Sequence, residues 1–429
     1  MSFKWHAAHA LIGGVVEDDV LIEIVDGRFA SVAPGSPRGD ANKLPGLVLP
    51  GFANVHSHAF HRALRGRTHS GRGSFWTWRD RMYEVAGALD PDGYYRLARA
   101  VYGEMAMAGI TAVGEFHYLH HTPTGGRYDD PNAMGEALIA AAADAGIRIT
   151  LLDTLYLTSS VDGKPPEGVQ RRFSDGTADA WIGRVTALKP LPHARIGAAA
   201  HSVRAVPERD LAALAGRAPL HVHLSEQRAE NEQCQAVHGC TPTELLRRNG
   251  ILGPGTTAVH ATHLTDGDLA ALSETGVCLC PTTERDLADG IGPARRLTGL
   301  SLGSAGLSLG SDSHAVIDVF EEMRALEMDE RLASEERGHF TVAELIAAAT
   351  HHAAIGWDDA GTIEVGRRAD LVAFSLTSVR TAGADPAQAI LAATAADITT
   401  VIADGRLIVA DGRHLELDVA AELQEAIPT

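Results

Sequence analysis

Two histidines one residue apart, His56 and His58, stand at the end of the run VLPGFANVHSH. On an extended strand alternate residues face the same side, so both imidazoles point one way and can share one divalent metal. Three further signals follow in order, each closing an apolar run. They are His223 within LHVHLSE, His260 within AVHATH and Asp312 within LGSDSH. Three imidazoles and one carboxylate suit Zn²⁺ or Fe²⁺ with a water in the open position, and do not suit Ca²⁺ or Mg²⁺. The proposed ligands are His56, His58, His223 and Asp312, and His260 is placed beside the metal water. Glu226, three residues past His223, is the candidate for proton transfer. Each residue has a plainer alternative. Glu226 alone reads as a solvated loop charge, and Asp312 alone reads as a helix cap. His221 has the parity of His223 but lies deeper, and reads as a packed barrel residue. His263 and His314 read as outer or exposed.

Such residues have to be held by strand ends. The apolar runs cover residues 47–58, 110–117, 147–157, 194–203, 220–226, 256–263, 277–282 and 300–314, with helix-like stretches between several of them. Examples are 94–107, 133–145, 208–214 and 243–248, rich in helix-forming residues. Strands alternating with helices predict βα units and a parallel sheet, and eight units predict a closed (β/α)₈ barrel of the TIM type. An open doubly wound sheet is the second choice, and it lacks the expected Gly-rich phosphate loop after the first strand. Residues 51–365 form the predicted catalytic barrel. Residues 1–50 and 366–429 read as short strands and hairpins, with turns at Asp26-Gly27, Asp404-Gly405 and Asp411-Gly412. They predict one small discontinuous β-sandwich domain. Two segments, 62–81 and 159–175, are expected to be long loops. The first holds Gly66, Gly71, Gly73 and the cluster Phe75-Trp76-Thr77-Trp78, and reads as a lid or subunit contact.

Composition narrows the field. The chain has 429 residues, 45% of them hydrophobic, and a net charge of −18. That acidity speaks against a nucleic-acid partner. No basic and apolar leader pattern opens the chain and no apolar run reaches membrane-spanning length, so a cytoplasmic protein without a membrane contact is expected. The four cysteines, Cys234, Cys240, Cys278 and Cys280, are too few for a disulfide framework and read as buried thiols.

The combination of HxH on strand one, His on five, His on six and Asp on eight resembles the amidohydrolase superfamily over nearly the whole chain, including the re-entry ADLVAF at 369–374. A two-metal member would need a carboxylated lysine or an acid at the end of strand three or four. Those ends offer no lysine and only Asp153, for which a core-edge role is equally open. One metal is therefore expected, as in the deaminase branch. Within that branch the chain is most similar to the formimidoylglutamate deiminase family. The stretches that carry this are NVHSHAF at 54–60, SFWTWR at 74–79, EFHYLHH at 115–121, AHSVRA at 200–205, HLSEQ at 223–227, TTE at 282–284 with DGI at 289–291, and GSDSH at 310–314. The resemblance implies hydrolysis of N-formimino-L-glutamate to N-formyl-L-glutamate and ammonia, in histidine degradation. It also implies that Tyr118, His201 and Arg204 bind substrate carboxylate and that Arg79 contributes from this or a neighbouring subunit of a homodimer. Arginine forks match carboxylates in bidentate fashion. One departure is His61, where the family often has Gln. The competing readings are a one-metal deaminase of a heterocycle, and a barrel that keeps its metal only as a scaffold.

Overall fold

The computed structural model describes residues 2–69, 75–299 and 306–427, and leaves the side chains of residues 75 and 76 aside. Among the described residues the strands form two eight-stranded sheets. In chain order β1 is Ser2–Ile12, β2 Val15–Val25, β3 Arg28–Ala33, β4 Asn42–Pro50, β5 Phe52–Ser57, β6 Ile110–His117, β7 Arg148–Leu155 and β8 Ala194–Ala200. Then come β9 Leu220–Leu224, β10 Thr256–His260, β11 Gly276–Leu279, β12 Leu307–Leu309, β13 Leu371–Phe374, β14 Ile398–Ala403, β15 Arg406–Ala410 and β16 Arg413–His414.

Strands β5 to β12 pair in sequence order, every pair parallel. Closure comes from a parallel bridge between Ser57 and Asp312. The Asp312 N–H donates to the His56 carbonyl at 3.0 Å and the His58 N–H donates to the Asp312 carbonyl at 3.1 Å. The bonds that close the barrel therefore join the backbones of three proposed ligands. Helices Pro91–Met107 and Ala133–Asp144 pack against the early strands. Asp90 caps the first of them, accepting from the Gly93 N–H at 2.7 Å, and satisfies a donor the helix leaves open.

The second sheet runs β16-β15-β14-β13-β4-β1-β2-β3, drawing on both ends of the chain. Its tight hairpins turn at Asp26-Gly27, Asp404-Gly405 and Asp411-Gly412, all six residues at positive φ, as type I′ turns demand. The predicted run 47–58 divides at Gly51. Residues 47–50 pair with β13 in this sheet and β5 opens the barrel. A side chain at Gly51 would have its Cβ 2.6 Å from Thr111 Cγ2 and 2.9 Å from Asp370 Cβ, so only glycine lets the chain pass between the sheets. The tail then crosses onto the barrel: His414 Nε2 donates to the Ala145 carbonyl at 3.0 Å, and Leu417 and Val419 pack over Gly103.

The expected long loops are shorter than the sequence suggests. Residues 75–81 lie in the helix Phe75–Ala88, and Ala59–Leu64 forms a 3-10 turn. The helix-forming run beyond Arg81 extends back through the aromatic cluster, which glycine-centred reading assigned to a loop. Gly71 and Gly73 lie outside the described residues. The 159–175 segment contains the 3-10 helix Gly168–Phe173. No helix among the described residues is long and apolar enough to cross a membrane. All four cysteines are free and buried.

Asp153 is held at the edge of the core. Arg184 bonds both its oxygens at 2.7 Å and Trp181 Nε1 donates at 2.9 Å. Asp175 joins the same guanidinium at 2.9 Å and lies 3.1 Å from His121. Burial alone would raise both acids. The Arg184 and His120 charges hold Asp153 low, and the His121 hydrogen bond, with His120 and Arg184, holds Asp175 low. A depressed carboxylate contributes stability above its unfolded value of about 3.9 and loses it as pH falls. The unfolding midpoint of metal-free protein should therefore drop steeply below about pH 4. Asp175→Asn should flatten that slope, and an unchanged slope would remove Asp175 from the acid response.

Candidate active site

Of the proposed ligands, His56 lies on β5 and His223 on β9, with His58 just past β5 and Asp312 just past β12. His56, His58, His223 and Asp312 each offer one atom, all within 4.8 Å of one another and all buried. His56 Nε2 lies 3.0 Å from His223 Nε2, and His58 Nε2 lies 3.4 Å from it. Asp312 Oδ1 stands 3.3 Å from both His56 Nε2 and His58 Nε2.

The tautomers follow from the far side of each ring. His58 Nδ1 donates to the Phe116 carbonyl at 2.9 Å and His223 Nδ1 to the His201 carbonyl at 2.9 Å. A carbonyl only accepts, so both protons sit on Nδ1 and both Nε2 atoms are bare lone pairs when the rings are neutral. Burial keeps them neutral: it depresses His56 to about 3 and lowers His58 and His223 as well. Burial opposes ionisation of Asp312, yet the hydrogen bond and charge of His56, with His260 and His58, hold its carboxyl well below the usual range. The bare Nε2 atoms of His58 and His223, 3.4 Å apart, and the Asp312 oxygen 3.3 Å from His58 Nε2 converge and repel one another. A divalent cation resolves that, and the donor set of three imidazoles and one carboxylate suits one.

The backbone is bent at these strand ends. Ser225, His260, Ala261, Asp312 and His314 all have φ between 41 and 69°, a region costly for non-glycine residues and found where function fixes side-chain direction. Gly310 is the counterpart. An added Cβ would lie 2.8 Å from both the Cβ and the carbonyl oxygen of His56. Gly310→Ala should push His56 out of register and weaken metal binding by about 10–100-fold, the usual scale for disturbing a ligand's support. Competition against a chelator measures this; an unchanged affinity would show that the strand ends yield elsewhere.

His260 lies above the ligands, Nε2 3.8 Å from Asp312 Oδ2 and Nδ1 3.3 Å from Glu284 Oε1. Burial would lower its pKa, but the Glu284 hydrogen bond and the charges of Glu226 and Asp312 raise it well above the ordinary value. Glu226 lies in the same pocket. Its Oε2 is 3.5 Å from Arg204 Nη2.

The sequence-predicted residues converge. His58, His61, Arg79, Tyr118, His201, Arg204, His223, Glu226, His260 and Asp312 all line one pocket, with His56 directly below. Arg79 reaches the pocket of its own chain, from the helix Phe75–Ala88. His61 Nε2 and the Tyr118 hydroxyl are 3.0 Å apart, and the His61 ring packs at 4.7 Å on His58 and 5.2 Å on Trp78. Burial holds His61 neutral and Tyr118 protonated. His221 is a packed residue whose Nε2 donates to the Ala354 carbonyl at 3.0 Å. His314 is buried behind the ligands, between the hydroxyls of Ser57 at 3.1 Å and Ser311 at 3.0 Å.

Sequence reasoning gave no role to several residues that line the pocket or stand behind it. Gln170 Nε2 donates to the hydroxyls of Tyr83 at 3.0 Å and Tyr156 at 3.1 Å, which fixes the 3-10 helix Gly168–Phe173 against the pocket wall. Glu284, quoted only as part of a motif, orients His260. Hydrophobic periodicity carries no trace of Gln170, because it lies on a short irregular turn; Glu284 is a helical acid like many others.

Comparison with known proteins agrees with this geometry. The amidohydrolase family profile matches residues 47–408. The chain belongs to the amidohydrolase family. It is 37% identical over 367 residues to formimidoylglutamate deiminase from Pseudomonas aeruginosa, covering 81% of this chain and 80% of that protein. It is 30% identical to 5'-deoxyadenosine deaminase from Methanothermobacter thermautotrophicus over 96% of this chain and 92% of the other. The crystal structure of an amidohydrolase from Brucella melitensis superposes with a TM-score of 0.90 at 30% identity, covering 99% of each chain. The barrel expected from the alternating runs is therefore the family's fold, and the chain is a hydrolase of that family.

Proposed function

We propose that this amidohydrolase is a formimidoylglutamate deiminase that hydrolyses N-formimino-L-glutamate to N-formyl-L-glutamate and ammonia in histidine degradation. The observation that carries the reading is the contact of Arg204 with Glu226, Nη2 to Oε2 at 3.5 Å. It sets a carboxylate-binding guanidinium beside the group that moves protons. The 37% identity to the Pseudomonas enzyme supports the same substrate.

His56, His58, His223 and Asp312 would hold one divalent ion, with zinc as our assignment. When bound, it supplies the Lewis acidity that makes water a nucleophile at neutral pH. The remaining steps belong to the chain. Arg204 and Arg79 take the substrate carboxylates, with Tyr118 and His201 donating to them and His61 fixing the Tyr118 hydroxyl. This aims the formimino carbon at the floor of the pocket. His260, oriented by Glu284, hydrogen-bonds the attacking oxygen. Asp312 and Glu226 accept the two protons of the water, and both reach the departing nitrogen through Glu226, so that it leaves as ammonia. One water is consumed, the carbon–nitrogen bond to the terminal NH₂ breaks, and the formyl C=O takes its place.

A second reading is favoured by the 5'-deoxyadenosine deaminase likeness and by the rings of Tyr83, Tyr156 and Phe173 along the pocket: deamination of a heterocycle. Ammonia release from N-formimino-L-glutamate, beside a panel of purines, pyrimidines and triazines, tests both. Release from a ring compound alone would overturn the first reading.

A further inference from the structure

Glu230 sits in the first turn of the helix Arg228–His238 and is buried, 2% exposed. Its two oxygens have different partners. Oε2 accepts from Arg204 Nε at 2.8 Å, and Oε1 accepts from the backbone N–H of Ser225 at 3.0 Å. Ser225 is the residue at φ 51° between the ligand strand β9 and Glu226. A buried carboxylate with a cation on one oxygen and a strained turn on the other ties together, at shorter range than the 3.5 Å contact of Arg204 with Glu226, two parts of the site. One part is the guanidinium lining the pocket; the other is the turn that aims Glu226.

We propose that Glu230 is a positioning residue that sets the guanidinium of Arg204 for substrate carboxylate and holds the Ser225 turn so that Glu226 meets the reacting carbon. The proposal rests on Arg204 binding a substrate carboxylate, as proposed above. Binding and proton transfer are then coupled through a residue that touches neither the substrate nor the ligands. Its two bonds are separable. Glutamine can still accept from Ser225 through its carbonyl oxygen, but its NH₂ would meet the Arg204 N–H donor to donor. Aspartate keeps the charge for Arg204 and, one methylene shorter, cannot also reach Ser225.

The two variants should therefore split in opposite directions. The measurements are kcat and KM for N-formimino-L-glutamate and Kd for N-formyl-L-glutamate by calorimetry, all on metal-loaded protein of verified metal content and melting temperature. Glu230→Gln should raise KM and Kd at least tenfold and leave kcat within about threefold. Glu230→Asp should lower kcat at least tenfold and leave KM and Kd within about threefold. Equal losses in both variants, or none in either, would overturn the positioning role, because a merely structural ion pair does not sort KM from kcat. If the wild type binds N-formyl-L-glutamate but releases no ammonia, the reaction assignment fails on its own. The ratio of Kd values in Glu230→Gln then decides the role at Arg204. A wild type that neither binds nor turns over the dicarboxylate overturns both.

Discussion

Glu226→Gln should lower ammonia release by about 10²–10⁴-fold, the range seen when a positioned proton-transfer group is removed. The amide keeps the shape of the carboxylate and can still accept from Arg204 Nη2, 3.5 Å away in the native chain. It cannot take a proton from water and return it to the leaving nitrogen. The ligands should be untouched, because Glu226 is outside the four-atom cluster of His56, His58, His223 and Asp312. The expected pattern is thus full metal content, near-native KM and lost kcat. A variant that keeps its turnover would move the shuttle to another group, with His260 the first to examine. Loss of metal together with activity would instead place Glu226 among the groups that hold the ion.

The clustering of His56, His58, His223 and Asp312 was legible because two independent regularities coincide on these residues. Apolar runs mark strands, and a parallel barrel gathers the ends of its strands at one face, so residues separated by more than 250 positions, His56 and Asp312, become neighbours without any local signal joining them. The same logic placed His260 and Glu226. It did not place Gln170 or Glu230, whose work depends on side-chain reach across the pocket wall rather than on strand parity. Parity alone does not mark the break at Gly51, where the hydrogen bonds change from β13 on one side to β6 on the other, but the Pro50-Gly51 pair does, and the expected boundary between residues 50 and 51 falls there. The helix Phe75–Ala88 was hidden by neighbouring glycines, although a helix is what carries Arg79, Met82 and Tyr83 into the pocket. Helical spacing of three and four brings those residues to one face.

Arg204→Met should distinguish the acidic substrate from a ring. Methionine approximates the aliphatic stem and removes the fork, so any loss is that of charge and hydrogen bonds. Truncating one partner of a desolvated, hydrogen-bonded charge pair costs about 2–5 kcal/mol, which is roughly 30- to 5,000-fold in kcat/KM. Part of that loss is the exposure of Glu230, whose buried oxygen loses its donor at 2.8 Å, so the variant should also melt lower. The control is therefore the substrate, not the protein alone. Formamidine carries the reacting carbon and no carboxylate, and its slow hydrolysis should change little in the variant if the damage is confined to recognition. A fall for N-formimino-L-glutamate with formamidine spared assigns the guanidinium to the carboxylate. Equal falls would mean that Arg204 acts on the chemistry itself, through the Glu226 contact, and that the carboxylates are held by Arg79, Tyr118 and His201 without it.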